Sequence, residues 1–131
     1  MTGRILLVDD EGPLLHLVES FLTRNGYEVA AFRNPWAALA SFESDVNGYG
    51  LVIADLTMPE LSGDELVKKI AELNPSVRML LLSGALFSTE QFPQPLRERV
   101  SFLQKPFLPR MLLDSVRQIA DGHQEASDST C

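Results

Sequence analysis

Short apolar runs alternate with helical patterns five times along this chain of 131 residues. The first run, Arg4–Val8, does not alternate apolar with polar residues, which is typical of a strand buried on both faces. Such strand–helix alternation predicts right-handed βαβ units. The expected architecture is therefore a parallel sheet with helices on both of its faces.

Proline, glycine and capping residues set the predicted boundaries of these elements. Asn34 is the expected N-cap of the second helix, and Ser62 with Glu65 forms a capping-box pattern before the third. The predicted strands are Arg4–Val8, Glu28–Phe32, Leu51–Ala54, Arg78–Ser83 and Val100–Gln104. The predicted helices cover Pro13–Asn25, the residues from Pro35, the residues from Ser62 to Asn74, and Pro109 to about Asp121.

Two of these helices carry specific packing expectations. The predicted buried stripe of the first helix consists of Leu14, Leu17, Val18 and Phe21. His16 lies off this stripe and is expected at the surface. Trp36 and Phe42 are both expected to pack the second helix against the rest of the domain.

The segment Ser88–Val100 is the exception to the regular alternation. It occupies the place of a fourth helix, but Pro93 and Pro95 lie in its middle. Each proline removes a backbone donor and crowds the preceding turn. We expect a helix here to be short, displaced or mobile.

Composition and charge limit the classes of partner. The formal net charge is −7, with only 11 lysines and arginines, and these are scattered. Non-specific binding to nucleic acid or to an anionic membrane requires clustered basic residues, so proteins and cations are the expected partners. Cys131 is the only cysteine, and no apolar run is long enough for a membrane span. The expected location is the cytoplasm.

Polar residues follow four of the predicted strands at their carboxyl ends, where open α/β sheets bind ligands. These residues are Asp9, Asp10 and Glu11 after the first strand, Asp55 after the third, Ser83 at the end of the fourth, and Lys105 after the fifth. Crowded carboxylates favour a hard divalent cation such as Mg²⁺. A metal, an ammonium and a hydroxyl around one carboxylate suit phosphoryl transfer with that carboxylate as nucleophile.

In this order, the motifs resemble the receiver domain of bacterial two-component response regulators. They are Asp9-Asp10, "DLTMPELSG" from Asp55, Ser83-Gly84-Ala85, and "FLQKPF" from Phe102. The resemblance covers about residues 3–121. It implies a flavodoxin-like, doubly wound sheet of five parallel strands in the order 2-1-3-4-5. The receiver domain is expected over residues 1–122, and the polar tail 123–131 is expected to be disordered.

The resemblance also implies roles for individual side chains. Asp55 would accept a phosphoryl group from a histidine kinase or a histidine phosphotransfer protein. Lys105 would pair with the phosphate, and Ser83 would donate a hydrogen bond to it. Phe102 would turn inward as Ser83 moves, which would relay the change to an unidentified downstream protein. The chain would thus be a signalling switch that assists its own phosphorylation and dephosphorylation, rather than an enzyme.

A magnesium site and a peptide geometry are implied in the same way. The ligands of Mg²⁺ would be Asp10, Asp55 and the backbone carbonyl of Thr57, with Asp9 acting through water. The peptide bond between Lys105 and Pro106 would be cis. Thr57 and Ala85 would flank the path of the hydrolytic water, and neither can orient it as an acid or amide would. We therefore expect slow loss of the phosphoryl group.

Two alternative functions belong to other classes. A phosphatase of the haloacid dehalogenase type needs a second carboxylate two residues after its nucleophile, whereas Leu56-Thr57 follow Asp55. A phosphate-independent pseudo-receiver would bind partners without phosphorylation, and the complete acceptor set argues against it. No output-domain motif follows the predicted domain, so we expect either a free-standing regulator or the receiver of a hybrid kinase.

Overall fold

The computed structural model describes residues 3–84 and 92–120. All five predicted strands are present, and their boundaries differ from the predicted ones by at most two residues. The strands are β1 (Arg4–Val8), β2 (Val29–Phe32), β3 (Tyr49–Asp55), β4 (Arg78–Ser83) and β5 (Val100–Gln104). The α-helices in the described part of the chain are α1 (Gly12–Arg24), α2 (Pro35–Ser44), α3 (Gly63–Leu73) and α4 (Pro109–Ala120).

The strands form one sheet in the order β2-β1-β3-β4-β5, and every neighbouring pair is parallel. This arrangement confirms the predicted flavodoxin-like fold. The winding reverses between β1 and β3, which are neighbours in the sheet. Because β1, β3, β4 and β5 lie side by side, their carboxyl ends meet at one edge. That edge carries the polar residues singled out in the sequence.

Two apolar layers cover the sheet. One layer, on the side of α2 and α3, includes Leu6, Val8 and Phe42. The other, on the side of α1 and α4, includes Ile5 and Leu7. Successive residues of β1 therefore point into opposite layers, and residues 5–8 are at most 1% exposed. Burial on both faces explains why this strand is a continuous apolar run.

The buried stripe of α1 differs from the predicted one. The residues buried along α1 are Leu15, Val18 and Leu22. Leu17 is 53% exposed, so its predicted burial was wrong. Leu14 and Phe21 pack at the margin of the layer, while His16 is exposed as expected. Two overlapping apolar stripes run along α1, and the position of the helix on the sheet decides which one is buried.

The two aromatic side chains of α2 also separate. Phe42 is fully buried, as predicted, and its ring stacks on that of Tyr49 with centroids 5.7 Å apart. Trp36 is 48% exposed, so its predicted packing role was wrong. The ammonium of Lys69 lies 5.8 Å from the centroid of the Trp36 indole. Trp36 lies in the first turn of α2, on the side of the helix that faces solvent.

The starts of α2 and α3 are stabilised in different ways. The Asn34 side chain caps α2 as predicted, since its Oδ1 accepts hydrogen bonds from the backbone N–H groups of Trp36 and Ala37. Ser62 precedes α3 but makes no side-chain cap, so the predicted capping box does not form. Instead, the N–H of Gly63 donates to the carbonyl oxygen of Leu56 at 2.8 Å.

Glycine is required at position 63 because α3 begins directly against the end of β3. A Cβ atom there would collide with the backbone carbonyl of Asp55 and lie 2.8 Å from the Cα of Leu56. This close approach is possible only without a side chain. Gly63 therefore couples the start of α3 to the loop that follows Asp55.

The connection between β4 and β5 contains the two prolines. Within its described residues no α-helix forms, and Leu96–Arg99 makes a single 3-10 turn. The N–H of Arg97 donates to the carbonyl oxygen of Pro93 at 3.0 Å. The expectation of a short, displaced or mobile helix over Ser88–Val100 stays a prediction, because part of that segment lies outside the described residues. The predicted tail, the predicted helix end at Asp121 and Ala85 lie outside the described residues.

None of the described helices has the length and apolar character that crossing a membrane requires.

Candidate functional site

The carboxyl edge of the sheet brings together the charged residues that follow three strands. Asp9 comes directly after β1, Asp55 is the last residue of β3, and Lys105 comes directly after β5. The ammonium Nζ of Lys105 lies 3.5 Å from Oδ2 of Asp9 and 3.4 Å from Oδ2 of Asp55. The predicted convergence of these three side chains is confirmed.

The backbone around Ser83 places Lys105 in this cluster. Ser83 ends β4, is 4% exposed, and lies in register with Gln104 of β5. Its carbonyl oxygen accepts a hydrogen bond from the N–H of Lys105 at 2.7 Å. The Lys105–Pro106 peptide bond is cis, as expected. Lys105 leaves the sheet next to the buried serine, and its ammonium reaches Asp9 and Asp55.

The carboxylates are only partly satisfied by hydrogen bonds. Oδ1 of Asp9 accepts from the N–H of Glu11 at 2.9 Å, and Oδ1 of Asp55 accepts from the N–H of Thr57 at 3.4 Å. Oδ2 of Asp9 is buried and has no hydrogen-bond partner in the described part of the chain. A buried carboxylate oxygen without a hydrogen bond is costly, and the Lys105 ammonium at 3.5 Å only partly offsets that cost, because it is shared with Asp55 and Glu11.

Burial and mutual repulsion perturb the ionisation of this cluster. Burial raises the pKa of Asp9 and of Asp55 above the ordinary aspartate value, and the charge of Lys105 opposes the rise at both sites. Burial also lowers the pKa of Lys105, but the charges of Asp9 and Asp55 outweigh this effect, and the pKa is raised. The site therefore contains more negative charge than its one lysine neutralises.

The same residues have the composition of a site for a hard cation. One carboxylate oxygen from each of Asp9, Asp10 and Asp55 lies within 4.8 Å of the other two. The donor set consists of oxygen atoms only, which suits Mg²⁺, Ca²⁺ or Mn²⁺ rather than a softer metal. Oδ2 of Asp9 makes no hydrogen bond and contacts only the Lys105 ammonium at 3.5 Å among the described residues, which is a second observation that fits a further cation here. The acidic cluster could therefore bind a metal ion.

Phe102 lies on β5, beyond the charged cluster. It is half-buried, and its ring stacks on that of the buried Phe92 with centroids 6.5 Å apart and planes inclined by 23°. Phe92 belongs to the described part of the proline-containing connection. The inward movement of Phe102 stays a prediction, because one conformation does not test a movement.

Two charged residues beside the cluster received no role from the sequence. Glu11 accepts a hydrogen bond from Nζ of Lys105 at 3.3 Å. Arg33 follows β2 and lines a surface cavity together with Asp10 and Glu60. Its guanidinium carbon would be 3.3 Å from a Cβ at Gly12, so the glycine admits it beside the start of α1. The signal for both was their place just beyond the carboxyl end of a strand, since Arg33 directly follows β2 and Glu11 is the third residue after β1.

Comparison with known proteins identifies the family of the chain. Residues 5–117 match the family described as the response regulator receiver domain. The chain is 28% identical to the transcriptional regulatory protein FixJ of Rhizobium meliloti (strain 1021) over 123 residues, which are 94% of this chain and 59% of FixJ. The chain therefore spans little more than half the length of that relative.

Two further similarities cover nearly whole chains. The response regulator receiver protein CpdR of Brucella abortus (strain 2308) is 27% identical over 118 residues, which are 88% of this chain and 95% of CpdR. The crystal structure of the receiver domain from the hybrid histidine kinase CckA superposes with a TM-score of 0.74 at 28% identity. That superposition covers 89% of this chain and 98% of the other.

Proposed function

Since this chain belongs to the response regulator receiver domain family, we propose that it is a phosphorylation-dependent switch whose acceptor is Asp55. The family consists of signalling domains rather than enzymes. The observation that carries the assignment is the contact of 3.4 Å between Nζ of Lys105 and Oδ2 of Asp55, at the carboxyl end of a central strand. The proposed donor is the phosphohistidine of a histidine kinase or of a histidine phosphotransfer protein.

The proposed transfer uses the Asp55 carboxylate as nucleophile. An oxygen of Asp55 bonds to phosphorus as the bond between phosphorus and the donor nitrogen breaks, and the histidine leaves with the electron pair. Lys105 and the N–H of Thr57 favour the ionised form of Asp55, which burial opposes. Lys105 is then placed to neutralise the oxygens of the transferred group. Ser83, buried at the end of β4, is the proposed hydroxyl donor to the same group.

The proposed metal is Mg²⁺, held by Asp10, Asp55 and the backbone carbonyl of Thr57, with Asp9 acting through water. When bound, it would supply positive charge to the phosphoryl oxygens during transfer. The three clustered carboxylates and the buried Oδ2 of Asp9, which makes no hydrogen bond, support this assignment. Without a cation, the same carboxylates repel one another.

The proposed relay runs from Ser83 to Phe102. Ser83 and Phe102 lie on neighbouring strands, and Phe102 is opposite Leu81, two residues before Ser83. The Phe102 ring already rests on Phe92, at the described end of the connection between β4 and β5. A shift of Ser83 toward the phosphoryl group would change the space available to this aromatic pair. The downstream protein that reads the change is unidentified.

The donor protein is proposed to dock on the α1–α4 side of the site. Leu17, Leu108 and Met111 are 53%, 61% and 44% exposed there. Phe107 lines both the groove between α1 and α4 and the neighbouring cavity that contains Lys105. This continuity with the acceptor site favours an apolar helix carrying the phosphohistidine over other occupants.

The domain is proposed to be either a free-standing regulator or the receiver of a hybrid kinase. CpdR, of which this chain matches 95%, is a response regulator receiver protein. The receiver of the hybrid kinase CckA is an equally complete structural match. Both arrangements use the same acceptor chemistry.

Incubation with acetyl phosphate and Mg²⁺ tests the proposed function. We expect intact-mass measurement to show the addition of one phosphoryl group, which chelation of Mg²⁺ should prevent. The absence of any addition with Mg²⁺ present would favour the pseudo-receiver. Sustained hydrolysis of p-nitrophenyl phosphate, with many turnovers per chain, would instead favour the phosphatase.

Millimolar Mg²⁺ should raise the melting temperature, because a cation that binds only the folded state stabilises it by mass action. At a concentration ten times its Kd, a ligand of this kind contributes about 1.4 kcal/mol. Asp10→Ala should lose most of the shift, whereas Asp114→Asn, an exposed acidic residue on α4, should retain it. A melting temperature indifferent to Mg²⁺ would contradict the metal site.

A further inference from the structure

Glu11 occupies the rim of the acceptor site and has no role in the proposed transfer. Its side chain is 63% exposed, and its Oε1 lies 3.3 Å from Nζ of Lys105. The same Nζ lies 3.4 Å from Oδ2 of Asp55. The distance from Oε1 of Glu11 to Oδ2 of Asp55 therefore cannot exceed the sum of these two distances.

A bound cation would leave the charge of Glu11 in place. The oxygens that can share one ion come from Asp9, Asp10 and Asp55, and Glu11 is outside this set. Its only close cationic partner in the described part of the chain is Lys105, which also contacts Asp9 and Asp55. Negative charge therefore persists at the rim while the centre of the site is neutralised.

The rim faces an open cavity beside the lysine. Glu11, Leu14, Lys105, Pro106 and Phe107 line this cavity, whose volume is about 360 Å³. Glu11 and Lys105 are its charged lining residues, and the other three are apolar. Arg33 lines a different cavity, with Asp10 and Glu60. A donor that approaches Lys105 through the first cavity passes directly beside the Glu11 carboxylate.

We propose that Glu11 determines donor specificity by disfavouring small donors that carry two negative charges. Like charges repel at this range, so the effect grows with the charge of the donor. A protein donor can offset Glu11 with a lysine or arginine placed against it, whereas acetyl phosphate cannot. The inference rests on the proposed function, because it concerns transfer to the acceptor Asp55.

Two small donors of different charge test the inference. Acetyl phosphate is doubly negative at neutral pH, and phosphoramidate carries less negative charge because its nitrogen is protonated. In both reactions an oxygen of Asp55 bonds to phosphorus, as acetate leaves from the first donor and ammonia from the second. Initial rates with each donor, at saturating Mg²⁺, would be measured by intact mass. The quantity compared is the ratio of the acetyl phosphate rate to the phosphoramidate rate.

Glu11→Gln should raise this ratio roughly 1.4- to fivefold, the range that corresponds to measured exposed ion pairs. The gain should shrink as ionic strength rises, because salt screens the exposed charge. Glu11→Asp retains the charge and should keep a ratio near the wild-type one. Glu28→Gln removes an equal charge from an exposed residue just before β2, at the opposite edge of the sheet, and should leave the ratio unchanged.

The possible outcomes distinguish the proposed function from the inference about Glu11. A wild-type protein that takes no phosphoryl group from either donor would overturn the proposed function, and this inference with it. A phosphorylated wild type with an unchanged ratio in Glu11→Gln would overturn the inference alone, whether the two rates rise or fall together. A merely structural role for Glu11 would alter both rates alike and would not produce a salt-dependent ratio.

Discussion

Replacing Asp55 with Asn should abolish the transfer of a phosphoryl group from acetyl phosphate at saturating Mg²⁺. The amide oxygen is a far weaker nucleophile than the carboxylate. Among the carboxylates of the described cluster, Asp55 is the one that both ends a strand and contacts Lys105. Intact-mass measurement on the wild type and the variant decides the matter. The expected result is one added group in the wild type and none in Asp55→Asn.

The fold should survive this substitution. Asn has nearly the same shape as Asp. The substitution also removes a negative charge that burial disfavours, as the raised pKa of Asp55 indicates. Lys105 would retain its contacts with Asp9 and Glu11. Asp114→Asn, on the exposed side of α4, provides a matched control that should be labelled like the wild type. Equal labelling of Asp55→Asn and the wild type would remove Asp55 as the acceptor.

Phe42→Ala should produce the largest loss of stability among the aromatic substitutions in α2. The side chain is fully buried in the layer covered by α2 and α3, and its ring stacks on Tyr49. Removing a buried phenylalanine typically costs about 3–5 kcal/mol, because the transfer energy is lost and a cavity remains. Urea denaturation should show a lower midpoint with an unchanged slope.

Trp36→Ala is the matched control for this prediction. It removes a larger aromatic side chain from the same helix, but the indole is 48% exposed and the ammonium of Lys69 lies over its ring. Changes at such surface positions usually lie within about 0.5 kcal/mol of zero. Equal destabilisation by the two substitutions would contradict the assigned orientation of α2.

The strand boundaries and the composition of the site followed from local sequence. Central parallel strands are covered on both faces, so each is a continuous apolar run that ends where polar residues begin. Asp9 and Asp55 were recognisable because Asp9 directly follows such a run and Asp55 ends one, whereas Lys105 follows the less apolar edge strand β5. The right-handed connection rule then placed these ends at one edge of the sheet. This information is local or topological, and it needs no knowledge of side-chain packing.

Helix orientation depended on tertiary packing instead. The sequence of α1 offers two adjacent apolar stripes, and contact with the sheet selected Leu15, Val18 and Leu22. Helical periodicity alone cannot choose between them, because both stripes have the same spacing. The same reasoning applies to α2, where position on the sheet buried Phe42 and left Trp36 exposed.

Close approaches between elements distant in the chain were also decided by the tertiary structure. Ser62 does not make the predicted side-chain cap. Instead, the backbone at Gly63 packs the start of α3 against the carbonyl of Asp55. Glu11 and Lys105 lie 94 residues apart in the sequence and meet only because β1 and β5 end at the same edge. Sequence determined which groups reach the site, since residue type and strand ends are local properties. Only the fold determined which groups touch, because contact depends on how the strands and helices are placed in space.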